Sequence, residues 1–205
     1  RPAAFASGAA FTFSTFHFGH DLGHLHILAM QWLPLFAAGL WRAVEGRSWR
    51  WGVFGGVAAG LAGLASWYHL LSAIFLGAVL LPFATWKSRE KGWKSLVVPV
   101  AALVGSVLVV AGPLALAILK ERAAEPVAGA HSARVFSADV ESFVVPNGGQ
   151  ALGQVLGRYR AWSGNPAENA SYLGVVLVAL AAFGAWRGAP RGRAWCVAAL
   201  VGVLL

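Results

Sequence analysis

WRAVEGRSWRWGVFGGVAAGLAGLASWYHLLSAIFLGAVLLPFATWKSREKGWK, residues 41–94, sets an uninterrupted apolar stretch from Trp51 to Trp86 between two basic clusters. A helix rises about 1.5 Å per residue, and a bilayer core of about 30 Å takes roughly 20 residues. The stretch is too long for one crossing and just long enough for two. The polar break Ser66-Trp67-Tyr68-His69 divides it. The pattern predicts a tight helical hairpin, with helices near 51–66 and 69–86. Its tip then faces one side and both basic clusters the other.

The rest of the chain extends this alternation. Apolar runs are expected as helices near 3–16, 25–42, 96–119 and 171–186, with a further one starting near 194. A third basic cluster, Arg187–Arg193, follows the run that ends at 186. The three clusters hold ten Lys/Arg against Glu45 and Glu90, whereas the opposite links hold five Lys/Arg and six acids. Basic residues gathered on one side are the positive-inside bias of a membrane protein. The net charge of +8 is therefore topological and does not indicate a nucleic-acid surface. Charged residues make up 12% of the chain, against about 25% in a typical soluble domain. Eight of ten tryptophans sit near proposed helix ends, where indole rings favour the headgroup level. The expected fold is an all-α polytopic transmembrane bundle of six or seven helices. It forms one domain over 1–205, with an extracytoplasmic loop over 120–170.

Small residues and prolines refine the picture. Gly52, Gly56 and Gly60 recur every fourth residue, with Gly63 a turn further on. They present a smooth strip to a neighbouring helix. Pro34 and Pro113 are expected inside helices, kinking them. In the long loop, Ser137 is expected to cap a short helix through Phe143, which ends before Pro146-Asn147-Gly148-Gly149. Leu152, Val155, Leu156, Tyr159 and Trp162 follow helical spacing, as in an amphipathic helix lying on the membrane surface. The lone Cys196 excludes an intrachain disulfide. The chain opens on Arg1-Pro2 and stops in an apolar run, so it reads as a piece of a longer protein. Arg outnumbers Lys twelve to four, a composition of high-GC bacterial genomes.

No Walker A loop, HExxH, GxSxG or Rossmann glycine pattern is present, which removes support for ATP-driven or dinucleotide chemistry. The densest polar cluster is His17, His20, Asp21, His24 and His26. On a helix His20 and His24 share a face at a spacing that can chelate a divalent metal. Asp21 can act as base or ligand. The same residues can instead form a substrate-facing polar site or an ordinary interfacial turn. His69 and Tyr68, at the hairpin tip, either meet that cluster or anchor the interface. Asp139 and Glu141 diverge by roughly 200° on a helix and are not a catalytic pair. Arg134 and Arg158 are candidate phosphate contacts. Asn169-Ala170-Ser171 fits the N-glycosylation pattern.

Four stretches carry a family resemblance: GHLHILAMQWLPLFAAGLWRA (23–43), LASWYHLLSAIF (64–75), FSADVESFVVPNG (136–148) and ENASYLGVVLVALAAFG (168–184). In this order they resemble segments of bacterial GT-C glycosyltransferases. The resemblance implies an integral enzyme that moves a sugar from a polyprenyl-phosphate carrier to an acceptor outside the cytoplasmic membrane. Its partners would be membrane lipid and the lipid-linked sugar, with a divalent metal as a possible cofactor. It implies an acidic base or ligand, for which Asp21 is the candidate. His20, His24, His69 and Asp139 would then line the substrate site, and Arg134 and Arg158 would hold phosphate. This chain has no Asp-X-Asp, and the family's usual first outer loop is expected upstream of Arg1. The alternatives are a transporter or flippase for a lipid or small solute, and a noncatalytic membrane scaffold.

Overall fold

The computed structural model describes residues 2–20, 23, 25–87, 89–124, 137–157, 165–188 and 190–204. In chain order the helices among them are α1 (Pro2–Thr12), α2 (Thr15–His20), α3 (Leu25–Leu28), α4 (Trp32–Gly46), α5 (Trp49–Ala65), α6 (Trp67–Lys87), α7 (Val97–Ala124), α8 (Ala151–Leu156), α9 (Val175–Arg187) and α10 (Pro190–Leu204). Short 3-10 turns lie at Arg89–Lys91, Trp93–Leu96 and Val140–Phe143. No strand occurs among the described residues. Among the described residues, three segments are long and apolar enough to cross a membrane: Leu25–Gly46, Trp67–Trp86 and Trp93–Glu121. The described residues thus form an all-helical fold whose apolar spans fit a membrane protein.

Two compact units can be distinguished. One, the bundle unit, comprises residues 29–127 and 188–205; the other, the loop unit, comprises 1–28 and 128–187.

In the bundle unit the predicted hairpin is present, with Ser66 the single residue between α5 and α6. α5 packs on both α4 and α7, and its buried residues are all Gly or Ala. Gly52, Gly56 and Gly60 face α7, as their spacing predicts. A Cβ on Gly52 would collide with the Pro99 carbonyl oxygen, one on Gly56 with that of Leu103, and one on Gly60 would lie 2.6 Å from Val110 Cβ. A second contact was not anticipated. Gly55 meets Gly39 of α4, where a Cβ on Gly39 would lie 2.5 Å from the Gly55 Cα. Inside a bilayer, helix association comes from such close van der Waals packing and not from water exclusion. α6 packs on α4, and α10 on α6. The core gathers Phe36, Leu40, Val44, Leu80, Ala84 and Ala194. On α7, Leu108, Val109, Leu116 and Leu119 stay exposed, as residues facing lipid do.

The basic ends are tied together. The Arg42 guanidinium lies 4.4 Å from the Trp51 ring centroid. Lys91 Nζ donates to the Glu45 carbonyl at 2.9 Å. Arg47 closes α4 in the left-handed region, with φ 51° and ψ 41°.

Several local expectations change. Pro34 falls in the first turn of α4 and not in its interior. No donor is needed there, so it does not break the helix. Pro113 lies inside α7 as expected, and Pro82 lies inside α6. Trp41, expected near a helix end, is buried within α4, which runs on to Gly46. The turn at Val140–Phe143 has Asp139, not Ser137, at its cap position, without a side-chain cap bond. α8 ends at Gly157 in a left-handed conformation, φ 66°. Tyr159 and Trp162 lie outside the described residues. α9 starts at Val175, after Gly174 at φ 83°, and not at 171.

Candidate functional site

The loop unit draws three separate segments together. α2 sets its Thr15 hydroxyl to donate to the Tyr172 carbonyl at 2.8 Å. Gly19 lies against Ala170 so closely that no Cβ fits between them. The Leu173 amide donates to the Phe143 carbonyl at 3.2 Å. Asn169 is buried, and its Oδ1 accepts from the Asp139 amide at 2.7 Å. These bonds hold segments 15–20, 139–143 and 165–173 as one body. The turn that presents Glu168 and Asn169 is itself fixed by Asn165, whose Oδ1 accepts from the Ala167 amide at 2.9 Å.

His20 sits at the end of α2 and is 1% exposed. Its ring stacks on Phe16, with centroids 4.2 Å apart. Its Nδ1 lies 2.9 Å from the Phe16 carbonyl oxygen. A carbonyl can only accept, so Nδ1 carries the proton and donates. That fixes the tautomer and turns Nε2 toward Glu168, whose Oε2 is 3.9 Å away. The distance is too long for a direct hydrogen bond and short enough for an ion pair once the ring is protonated. Glu168 is 24% exposed at its side chain, so the pair opens outward on the carboxylate side. Chemically, the arrangement sets a buried imidazole beside a carboxylate, two kinds of group that serve general acid–base chemistry.

Ser142 lies in the turn at Val140–Phe143, which the same unit holds. It is fully buried, and its Oγ makes no hydrogen bond. Buried hydroxyls are nearly always satisfied, which makes this one unusual. Its backbone amide donates to the Asp139 carbonyl at 2.8 Å.

The structure thus brings His20 and Asp139 into one site, although Asp139 is held there by its backbone. Asp21, His24, Arg134 and Arg158 lie outside the described residues. His69 belongs to the bundle unit, where it is buried near the start of α6 while Tyr68 beside it is exposed. The sequence reading missed Glu168 and Ser142 and named Asn169 only for the glycosylation pattern. Glu168 immediately precedes that pattern, and burial of Asn169 and its bond to the Asp139 amide give it a structural task. Among the described residues no group of three or more His, Cys, Asp or Glu is placed to hold a metal.

Three apolar spans, joined in one chain to a polar site built around a buried imidazole and a carboxylate, define a helical membrane protein with a candidate acid–base centre. The chain matches the model of the family described as Domain of unknown function (DUF6311) over residues 1–205, and it belongs to that family. No curated protein and no solved structure matches it.

Proposed function

We propose that this protein is an integral membrane glycosyltransferase of GT-C type, taking a sugar from a polyprenyl-phosphate donor. In this reading six or seven helices cross the bacterial cytoplasmic membrane. The basic clusters stay inside, and residues 17–24 and 120–170 face outward. The observation that carries the reading is the His20–Glu168 pair, an imidazole and a carboxylate 3.9 Å apart within the segments that this topology puts on the outer side.

The reaction is a substitution at the sugar's anomeric carbon. The acceptor hydroxyl gives up its proton to a base, and its oxygen bonds to that carbon. The bond from the carbon to the carrier phosphate breaks, and the phosphate leaves with the electron pair. We assign the base to His20 Nε2, with Glu168 stabilising the imidazolium. Asp21, its neighbour in sequence, is the acid that the resemblance names, and Arg134 and Arg158 are the candidates for stabilising the departing phosphate.

The test is transfer of label from radiolabelled polyprenyl-phosphate sugars by the purified chain, with Glu168→Gln and Asp21→Asn beside wild type. Loss of a general base costs about 10²–10⁴-fold in rate. Glu168→Gln keeps the base and removes the charge that stabilises its protonated form, so it is expected to lose activity toward the lower end of that scale while keeping its thermal stability. Wild type that turns over, with Glu168→Gln equally active, removes the pair from catalysis. An intact wild type inert toward every carrier-linked sugar removes the transferase reading.

A further inference from the structure

We infer that the outer face of α4 retains one anionic phospholipid, its phosphate on the Arg42 guanidinium and an acyl chain along the helix toward Pro34. This site does not rest on the reading above and uses none of its residues.

That face carries a row at four-residue spacing, Pro34, Ala38, Arg42 and Gly46, all of them exposed. Proline, alanine and glycine are compact, so the row is a trough in which Arg42 is the one long side chain. Two cavities lie along it. The first, of about 350 Å³, is lined by Pro34, Ala38, Trp41, Arg42 and Glu45 of α4, with Trp195 of α10 beside them. The second, of about 400 Å³, is lined by Arg42, Glu45, Gly46, Ser48 and Trp51. Arg42 and Glu45 belong to both, so the cavities adjoin there. Toward Pro34 the lining is apolar. Toward Ser48 the trough reaches the basic end of the unit.

The Arg42 side chain is open to a ligand. Its guanidinium carbon lies 4.4 Å from the Trp51 ring centroid, and the indole steadies the cation. It makes no hydrogen bond or ion pair with the described residues. Its N–H donors can therefore meet a phosphate, which a guanidinium holds through two parallel hydrogen bonds. The surrounding charge favours an anionic head. Residues 42–50 hold Arg42, Arg47 and Arg50 against Glu45, and the Lys91 ammonium is fixed at the same end by its bond to the Glu45 carbonyl. Trp51 and Trp195 supply indole rings, which favour the headgroup level. Length selects a lipid over a protein helix. Pro34 and Arg42 are eight residues apart, about 12 Å along a helix. One leaflet of hydrocarbon is about 15 Å deep, half of a core of about 30 Å. The trough supports an acyl chain through most of one leaflet, and a membrane-crossing helix over less than half its length.

The experiment uses the full chain in detergent, titrated with the dioleoyl forms of phosphatidylglycerol, phosphatidylcholine or phosphatidylethanolamine, or with sn-glycerol 3-phosphate. Thermal unfolding and native mass spectrometry are the readouts. Phosphatidylglycerol is expected to raise Tm by about 5 °C more than either zwitterionic lipid, the scale for a ligand well above its Kd. One copy should survive in the mass spectrum. Glycerol phosphate, a head without a chain, should shift nothing. Arg42→Gln changes an exposed residue, so it should fold and lose the preference for phosphatidylglycerol. Ala38→Trp, also at an exposed position, fills the trough and should abolish lipid retention. Glu45→Gln removes the acid that lines both cavities and should strengthen the preference. The proposal fails if the three lipids stabilise wild type equally, if Arg42→Gln keeps the preference, or if Ala38→Trp retains its lipid. Tighter binding of phosphatidylethanolamine, lost in Glu45→Gln, would mean that the site reads an ammonium, and overturns it. Stabilisation by glycerol phosphate alone overturns the acyl-chain half. A wild-type dimer with no bound lipid, broken by Ala38→Trp, would place a second copy in the trough and overturn the proposal as well.

Discussion

The bundle unit and the loop unit are held by opposite means. In the bundle unit, stability comes from the absence of side chains: Gly39 against Gly55, and Gly52, Gly56 and Gly60 against the backbone of α7. In the loop unit it comes from particular polar side chains that satisfy backbone groups: Thr15 on Tyr172, Asn169 on Asp139 and Asn165 on Ala167. A helix in lipid already satisfies its own backbone, so its neighbours need only come close. An irregular segment has unsatisfied amides, and each must find an acceptor. The contrast implies that enlarging a residue should damage one unit most, and that deleting a polar group should damage the other.

The largest effect should therefore come from Gly56→Leu. The new side chain would point at the Leu103 carbonyl and the Ser106 Cβ. Backbone cannot yield as a flexible side chain can, so the cost should reach or exceed the upper end of the ~1–3 kcal/mol typical of overpacking. Detergent-purified protein should lose its monodisperse peak and its cooperative melt. Gly112→Leu, on the same bundle but with nothing within 4 Å of its Cβ, is the control and should behave as wild type. Equal damage from both would mean that the close approach of Gly56 to α7 is not what the substitution disrupts.

Asn169→Ala comes next. It leaves the half-buried Asp139 amide without this acceptor, at a cost toward the lower end of the ~1–3 kcal/mol of an unsatisfied buried group. The loss should be local. Amide exchange at Asp139 should speed up, while exchange across α5 and α7 stays as in wild type. Slowed or unchanged exchange at Asp139 would show that the bond contributes nothing.

This contrast also explains what was legible beforehand. The hairpin, its Ser66 break and the glycine strip follow from a period and from a length set by bilayer thickness, and both are written in the order of residues. Pro34 was misplaced because a helix start shifted by a few residues turns an interior proline into a first-turn one. The candidate site was half visible. His20 stood out as one of a cluster, but its partner is 148 positions away. No local spacing relates Glu168 to His20; only the bonds that gather three segments do. Asn169 stood out only as part of an N-glycosylation pattern, which says nothing about burial.

Ser142→Ala should have the smallest effect on stability, and its sign carries the information. In a site where every polar group serves the fold, removing a hydroxyl costs about 1 kcal/mol. The Ser142 Oγ is buried and makes no hydrogen bond, so its removal relieves a desolvated group. Alanine should leave Tm unchanged or raise it slightly. A clear fall in Tm would mean that the hydroxyl supports the fold after all. If Tm holds while transfer from a carrier-linked sugar drops, the hydroxyl contacts substrate, and the site reaches from His20 to the turn at Val140–Phe143. If both hold, the chemistry is confined to the imidazole and its carboxylate.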